Sequence, residues 1–205
     1  MIAIINYGLG NLTSIGNMFR RLGIDAVITD NRQDIKDASK LLLPGVGHFK
    51  KGMANLHESG LTDVLNREVT EKGKPILGIC LGAQLMTKHS EEGDVDGLGW
   101  IDAVTVRFDK EKLNDLPIPH MGWSDISLSN NCELWEGLPA YPRFYFVHAY
   151  HFLFDDKSEV TATSRYGYDF ACAFRKHNVF GAQFHPEKSH KFGMKVLENF
   201  SKIQD

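Results

Sequence analysis

The sequence predicts an α/β protein with an open, mainly parallel sheet, helices on both faces and antiparallel additions in its second half. Three observations carry this prediction. Short apolar runs alternate with helical stripes in the first hundred residues, glycine-containing turns separate them, and residues 100–184 supply β-rich runs with few helical stripes. A βαβα order favours parallel strands covered by helices, whereas consecutive short strands favour antiparallel pairing.

Each element of the first half follows from a local pattern. Short apolar runs predict buried strands over 2–6, 26–29, 40–43 and 75–79, and Pro44-Gly45 ends the third of them. Apolar side chains at helical spacing predict helices over 11–22 and 53–69, and a third helix from about 82 to 89.

The second half predicts further strands and a terminal helix. Its β-rich runs lie at 103–108, 143–148, 159–164, 170–174 and 179–184. The spacing of apolar residues over 190–203 predicts an amphipathic helix. Because no repeat or low-complexity linker separates the halves, residues 1–205 are predicted to form one domain.

Composition indicates a globular protein and excludes several classes of partner. The 205 residues are 42% hydrophobic and 24% charged, which is typical of a folded soluble domain. A formal net charge of −3 gives no general attraction to phosphate backbones or anionic lipid, so neither nucleic acid nor a membrane is expected as partner. No apolar run of about 18 residues occurs, and the short N-terminal run lacks a preceding basic segment, so neither a membrane span nor an export signal is expected.

The cysteines indicate the compartment. Cys80, Cys132 and Cys172 form an odd set without C-x-x-C spacing, which argues against a disulfide framework and a structural zinc site. We therefore expect a reducing cytoplasm, no metal and no cofactor.

The stretch Gly78-Ile79-Cys80-Leu81-Gly82 gives the strongest indication of chemistry. A nucleophile flanked by glycines between a strand and a helix forms a nucleophile elbow, whose strained turn presents the side chain at the strand's carboxyl end. The helix N-terminus favours a thiolate, and its free N–H groups, that of Leu81 first, can hold an oxyanion. The alternative is that Cys80 is a small buried apolar residue, as assigned to the other two cysteines.

A thiol nucleophile needs a base, and His185 is the candidate. It follows the apolar run 179–184 and precedes Pro186, which predicts a position at a strand's end. Glu187, two residues later, can then orient the imidazole, giving the roles of a Cys-His-Glu triad. Alone, His-Pro-Glu fits equally a capped loop histidine beside a solvated carboxylate. No second ligand at metal spacing lies near His185.

The glycine-rich segment Pro44-Gly45-Val46-Gly47 ends another predicted parallel strand. Its glycines permit a backbone conformation that turns an N–H towards a ligand. In an open parallel sheet the carboxyl ends of the strands share one crevice, so this segment can supply a second oxyanion donor. By itself it is equally well an ordinary turn.

Three runs in this order resemble the class I, or triad, glutamine amidotransferases: LLLPGVGHF at 41–49, GICLGAQL at 78–85 and QFHPEKS at 183–189. More narrowly, IINYGLGN at 4–11, IPHMGWS at 118–124 and FYFVHAYH at 144–151 resemble the glutaminase subunits of imidazole glycerol phosphate synthase, in histidine biosynthesis. The resemblance covers nearly the whole chain and implies the amidotransferase fold over 1–205.

The resemblance implies that Cys80 attacks the side-chain amide of L-glutamine, that His185 protonates the departing ammonia and then activates water, and that Glu187 orients His185. It also implies the residues that hold the substrate. Leu81 and the loop of Gly45, Val46 and Gly47 would bind the oxyanion. The contacts with glutamine would be made by Gln84, Glu92 and the backbone of His148, Ala149 and Tyr150.

The resemblance further implies a partner. In that family a separate (β/α)8-barrel cyclase binds the glutaminase, as a one-to-one heterodimer, and receives the ammonia. Trp123 and Lys188 match the family's interface positions. Read without the family, this Trp is equally a half-buried core residue and this Lys a solvated charge.

Three positions depart from the family pattern and leave the ammonia acceptor open. Ser124 stands where Asn is expected, Ala83 where Met is expected, and His151 where Tyr or Arg is expected. The alternative is a paralogous glutaminase that supplies a different synthase, such as one that aminates a surface-polysaccharide sugar. A non-enzyme alternative is a regulatory pseudo-amidotransferase, which an intact triad disfavours.

Overall fold

The structure, a computed structural model, describes residues 1–129 and 132–204. Its strands, in chain order, are β1 (Ile2–Ile5), β2 (Ala26–Thr29), β3 (Lys40–Leu43), β4 (Ile76–Ile79), β5 (Thr87–Ser90), β6 (Val95–Asp96), β7 (Ile101–Arg107), β8 (His120–Leu128), β9 (Arg143–His148), β10 (Tyr150–Phe154), β11 (Val160–Tyr166), β12 (Tyr168–Lys176) and β13 (Val179–Ala182). Its helices are α1 (Leu12–Arg21), α2 (Arg32–Asp37), α3 (Phe49–Glu58), α4 (Leu61–Asn66), α5 (Leu81–Leu85) and α6 (His190–Lys202).

The central sheet consists of parallel strands, most of whose residues are apolar and buried. β1, β3, β4 and β13 are buried at every residue, as expected for strands covered on both faces. They run side by side with β2 in the order β2-β1-β3-β4-β13, all parallel. This order brings together the carboxyl ends of β3, β4 and β13, which come from distant parts of the sequence.

The second half extends the sheet with antiparallel strands. β12 pairs with β13, with β11 and briefly with β10, while β8 joins β11 to β9. The predicted fold class is confirmed: an open, mainly parallel sheet with helices on both faces and antiparallel additions.

Two apolar cores lie on opposite faces of the sheet. Ile15 and Phe19 of α1 pack in one core with Val196 and Phe200 of α6. The helices α2, α3, α4 and α5 contribute to the other core, together with the opposite side chains of the same strands. Alternate residues of β1 divide between the cores, with Ile4 in the first and Ala3 and Ile5 in the second.

Two predicted helices were wrong in extent. The helix predicted over 53–69 begins earlier and is divided into α3 and α4 by Gly60, whose positive φ of 64° interrupts the helix, and a π-helical turn at Arg67–Glu71 follows. The helix predicted to residue 89 ends at Leu85. The buried Thr87 hydroxyl donates to the carbonyl of Gln84 at 2.8 Å, and Thr87–Ser90 pairs with β7 instead.

Several elements were missed because their sequences are short or mix polar with apolar residues. They are β5, β6, β8, β10 and α2. The helix α2 depends on a cap rather than on an apolar stripe, since the Asn31 side chain accepts a hydrogen bond from the N–H of Gln33 at 2.7 Å. Within the described residues, no helix has both the length and the apolarity needed to cross a bilayer.

Candidate active site

A cleft of about 200 Å³ lies at the carboxyl ends of the parallel strands, beside the turn between β9 and β10. It gathers ten of the fourteen residues that the sequence singled out. Its lining is Val46, Gly47, Cys80, Leu81, Gln84, Glu92, Val147, His148, Ala149, Tyr150 and His185. Gly45 and Glu187 lie behind this lining, and Trp123 and Lys188 lie outside it.

Larger depressions, of about 690 and 500 Å³, surround Arg175 and Glu133. Neither brings a thiol and a histidine together among the described residues that line it. Cys132 is a thiol in the lining of the larger depression, and burial raises its pKa to about 11, which disfavours the thiolate. We therefore take the cleft around Cys80 as the candidate active site because of the residues that line it, although it is smaller than the other two depressions.

Cys80 lies on a rigid elbow, residues 78–82. Its φ of 51° is left-handed, which is uncommon for a non-glycine residue, and its N–H is held by the carbonyl of Ala182 at 2.8 Å. A Cβ at Gly78 would lie 2.6 Å from the Cα of Ala83, and one at Gly82 would overlap the carbonyl of Leu43. The two glycines thus permit the close approach of strand and helix that places the Cys80 side chain in the wall of the cleft, although it is only 7% exposed.

His185 and Glu187 form a buried pair beside the elbow. Nδ1 of His185 and Oε1 of Glu187 are 2.8 Å apart, and each side chain is 1% exposed. A carboxylate only accepts, so Nδ1 carries the proton and Nε2 is left for chemistry. Within the described residues, no nitrogen or oxygen atom bonds Nε2, and the Cys80 sulfur is the group that interacts with this imidazole.

Charge favours the imidazolium form of His185. Burial disfavours that form, but the interactions with Cys80, first, and with the Glu187 carboxylate outweigh burial and raise the pKa of His185 well above its ordinary value. An imidazolium beside a thiolate is the ion pair expected of an activated cysteine nucleophile.

Gln183 is a site residue that sequence reasoning missed. Its Nε2 lies 3.7 Å from the Cys80 sulfur, and its Oε1 accepts from Nε2 of Gln84 at 3.0 Å. The same Gln84 nitrogen reaches the carbonyl of Tyr150 at 3.2 Å. The sequence contained one signal for this residue, namely a glutamine two residues before His185 at the end of an apolar run. Alternate residues at the end of a strand point to the same side, so Gln183 could have been expected beside His185.

The side of the cleft at His148 is held by neutral imidazoles. Nδ1 of His148 donates to the carbonyl of Tyr150 at 2.7 Å, so its Nε2 accepts from Nδ1 of His120 at 3.1 Å. Nε2 of His120 then accepts from the Ser124 hydroxyl at 2.9 Å. Burial lowers the pKa of His120 to about 4 and that of His148 well below its ordinary value, so both are neutral at pH 7.

Glu92 connects the cleft to the 44–47 loop. Its Oε2 accepts from the N–H of Phe49, two residues after that loop, at 2.7 Å. Within the loop, Val46 is 40% exposed and Gly47 has a positive φ of 112°.

Trp123 and Lys188 share a surface patch next to the cleft. The ring of Tyr145 lies between them, 6.1 Å from the Trp123 ring and 5.4 Å from Nζ of Lys188. Trp123 also stacks on His190 at 5.4 Å and is 38% exposed. The carbonyl of Tyr145 accepts the N–H of His185 at 2.9 Å, so the patch connects directly to the backbone that carries His185.

Comparisons with known proteins show the family of the chain. The family model described as glutamine amidotransferase class-I matches residues 3–203. "Imidazole glycerol phosphate synthase subunit HisH 2" of Methanococcus maripaludis is 51% identical over 98% of this chain and 99% of its own length. The Pseudomonas aeruginosa protein of the same name is 47% identical over 99% and 100%, and the Bdellovibrio bacteriovorus "subunit HisH" is 42% identical over the same shares.

Solved structures support the same fold. A crystal structure of a glutamine amidotransferase superposes with a TM-score of 0.74 at 22% identity, covering 97% of this chain and 98% of that chain. The structure of PurLQS from Thermotoga maritima gives a TM-score of 0.73 at 19% identity, covering 97% and 96%.

Proposed function

The chain belongs to the class-I glutamine amidotransferase family, and from that premise we propose that it is the glutaminase subunit of an imidazole glycerol phosphate synthase. The reaction we assign to it is hydrolysis of L-glutamine to glutamate and ammonia. The observation that carries the proposal is the cleft in which the Cys80 elbow faces the buried His185–Glu187 pair, in a chain up to 51% identical to subunits of that name.

The geometry supports a mechanism in two halves. The Cys80 sulfur attacks the side-chain amide carbon of glutamine, and the carbonyl electrons move to oxygen. The oxyanion is held by the N–H of Leu81 and an N–H of the 44–47 loop. As the tetrahedral adduct collapses, Nε2 of His185 gives its proton to the amine, ammonia leaves and a thioester remains.

The second half releases glutamate. Neutral His185 takes a proton from water through Nε2, and the resulting hydroxide attacks the thioester. The C–S bond breaks, the sulfur leaves as a thiolate, and His185 is again an imidazolium. Throughout both halves Glu187 holds Nδ1 and stabilises the charged imidazole at 2.8 Å.

The rest of the cleft suits the amino-acid end of glutamine. The Glu92 carboxylate offers an opposite charge to the α-ammonium group, and Gln84 lies one turn into α5 beside the nucleophile. The carbonyl of Ala149 accepts from the N–H of Phe108 at 3.1 Å, and that of Tyr150 is occupied by His148 and Gln84. These bonds fix the orientation of the backbone that we assign to the α-carboxylate.

We assign the patch of Trp123, Tyr145 and Lys188 to a partner, a separate (β/α)8-barrel synthase in a one-to-one complex. Ammonia that escapes into water is protonated and lost, so the exit of the cleft needs a cover. We treat residues 1–205 as one amidotransferase domain, because a single continuous sheet joins both halves of the described residues, and we assign the cover to the partner.

The acceptor of ammonia is a property of the partner. Ala83, Ser124 and His151, which depart from the family pattern, are absent from the cleft's lining: Ala83 packs under Gly78, and His151 is bonded to Tyr168 at 2.9 Å. Glutamine hydrolysis is therefore expected with either acceptor. A synthase of another pathway, which aminates a different sugar, is the second candidate.

The test is reconstitution with the co-encoded barrel protein. The expected result is a one-to-one complex on size-exclusion chromatography that makes imidazole glycerol phosphate from glutamine. Trp123→Ala or Lys188→Ala should weaken the complex or its ammonia coupling, whereas Ile28→Ala, an exposed apolar residue on the edge strand β2, should change neither. An aminated sugar as product supports the second candidate, and absence of glutamine hydrolysis overturns both.

A further inference from the structure

Tyr7 lies just beyond the end of β1 and reaches the 44–47 loop. It is 3% exposed, and its hydroxyl donates to the carbonyl of Pro44 at 2.7 Å. Its own carbonyl accepts from the Asn55 side chain at 2.9 Å. Burial, reinforced by the charge of Cys80, raises the pKa of Tyr7 far above its ordinary value, so the hydroxyl stays protonated and remains a donor.

Gly45, the next residue, is clamped between Tyr7 and the elbow. A Cβ on Gly45 would lie 2.6 Å from the Tyr7 hydroxyl oxygen, 2.7 Å from the nitrogen of Gly82 and 2.8 Å from the Cβ of Leu81. These separations are too short for a side chain, so the backbone of Gly45 rests directly against the turn that carries Cys80. The peptide joining Pro44 to Gly45 is therefore held on both sides.

The far end of the loop is also fixed, whereas its middle is free. Beyond the loop, Glu92 accepts the N–H of Phe49 at 2.7 Å. Between these anchors, Val46 and Gly47 make no hydrogen bond within residues 1–129 and 132–204, and a Cβ at Gly47 would meet no atom within 4 Å. The two peptides that follow Gly45 can consequently rotate without breaking a bond.

We propose that Tyr7 is a positioning residue that fixes the Pro44–Gly45 peptide, so that the loop directs an N–H at the oxyanion by rotation at Val46 and Gly47 alone. The inference rests on the proposed glutaminase function and deepens it. Without the Tyr7 hydroxyl, the Pro44–Gly45 peptide can also rotate. A smaller fraction of the molecules then directs the N–H of the loop at the oxyanion. Because the oxyanion exists only after attack, the loss falls on kcat and leaves KM nearly unchanged.

The decisive variant is Tyr7→Phe, measured in the complete complex with its partner. We expect kcat for glutamine hydrolysis to fall roughly 10- to 100-fold, less than removal of a whole oxyanion donor, with KM within about 3-fold of wild type. Alkylation of Cys80 by iodoacetamide should keep its wild-type rate, because displacement at a saturated carbon forms no oxyanion. The matched control is Tyr166→Phe, which removes a similar bond, 2.6 Å to the carbonyl of Pro117, and should leave kcat unchanged.

The outcomes separate this inference from the proposed function. A wild-type complex that does not hydrolyse glutamine overturns the function, and the inference with it. An active wild type with an unchanged kcat in Tyr7→Phe overturns the inference alone. A variant that loses alkylation of Cys80 in proportion to hydrolysis also overturns it, because Tyr7 would then act through the nucleophile or the fold.

Discussion

The two glycine-containing turns of the cleft differ in how tightly they are held. In the elbow, both glycines are packed against backbone and Cys80 is fixed by the carbonyl of Ala182. In the 44–47 loop, the ends are anchored, but Gly47 faces open space and Val46 is 40% exposed. The turn that carries the nucleophile is therefore rigid, whereas the loop that supplies the oxyanion donor can change its orientation. The chain can thus hold all its catalytic groups before the oxyanion donor is oriented for catalysis.

The largest effect should come from removing the nucleophile on the rigid turn. Cys80→Ala is expected to lower glutamine hydrolysis by at least roughly 10³-fold while thermal unfolding and binding to the partner stay near wild type. Cys132→Ala should retain activity, and a glutamine-like electrophile should label Cys80 alone in the wild type. Substantial hydrolysis by purified Cys80→Ala, with contaminating enzyme excluded, would show that the elbow is not the catalytic turn.

A glycine-to-alanine substitution should destabilise the protein more in the elbow than in the 44–47 loop. Gly82→Ala forces its Cβ into the carbonyl of Leu43, so we expect a loss of roughly 3 kcal/mol in the free energy of unfolding. Gly47→Ala meets no atom and suffers only the strain of a positive φ, about 1 kcal/mol. Urea unfolding of both variants measures the difference, and equal losses would contradict the contrast between the turns.

The adjustable turn should make activity depend on the partner. We expect the isolated chain to hydrolyse glutamine slowly and the complex with its acceptor bound to be on the order of 10²-fold faster, since a shift of a few kcal/mol repopulates the loop. Steady-state kinetics with and without the barrel protein give the ratio. Fast hydrolysis by the chain alone, unaltered by the partner, would mean that the loop is already fixed.

The smallest effect concerns the side of the cleft opposite both turns. His120 and His148 have lowered pKa values because they are buried, so the unfolded chain binds more protons than the folded one as pH falls below about 6.5. The free energy of unfolding should therefore drop between pH 7 and pH 5, on the order of 2 kcal/mol. The raised pKa of His185 has the opposite effect, because it increases the free energy of unfolding as the pH falls. That increase stops once the imidazole of the unfolded chain is protonated.

Urea unfolding at several pH values tests this sign. His120→Gln should flatten the dependence, and His57→Gln, at an exposed position, should not. A free energy of unfolding that is constant or rises from pH 7 to pH 5 would contradict neutral imidazoles beside the cleft.

The sequence alone determined the parts of the molecule whose signal is local. Continuous apolar runs identify the parallel strands, and a parallel sheet brings their carboxyl ends to one edge. The glycines around Cys80 and the short interval from His185 to Glu187 therefore sufficed to place both groups near one cleft. The substrate contacts Gln84, Glu92 and 148–150, which also line the cleft, were instead implied by the resemblance to the family.

Only the tertiary structure decided which polar groups meet. Gln183 reaches the Cys80 sulfur, Tyr7 bonds the Pro44 carbonyl and His120 bonds His148, over separations in sequence that no local pattern encodes. Likewise, the residues from 87 to 90 form a strand because β7 offers an edge to pair with, not because of their own propensity. A buried polar atom must find a partner, and packing of the whole chain selects that partner.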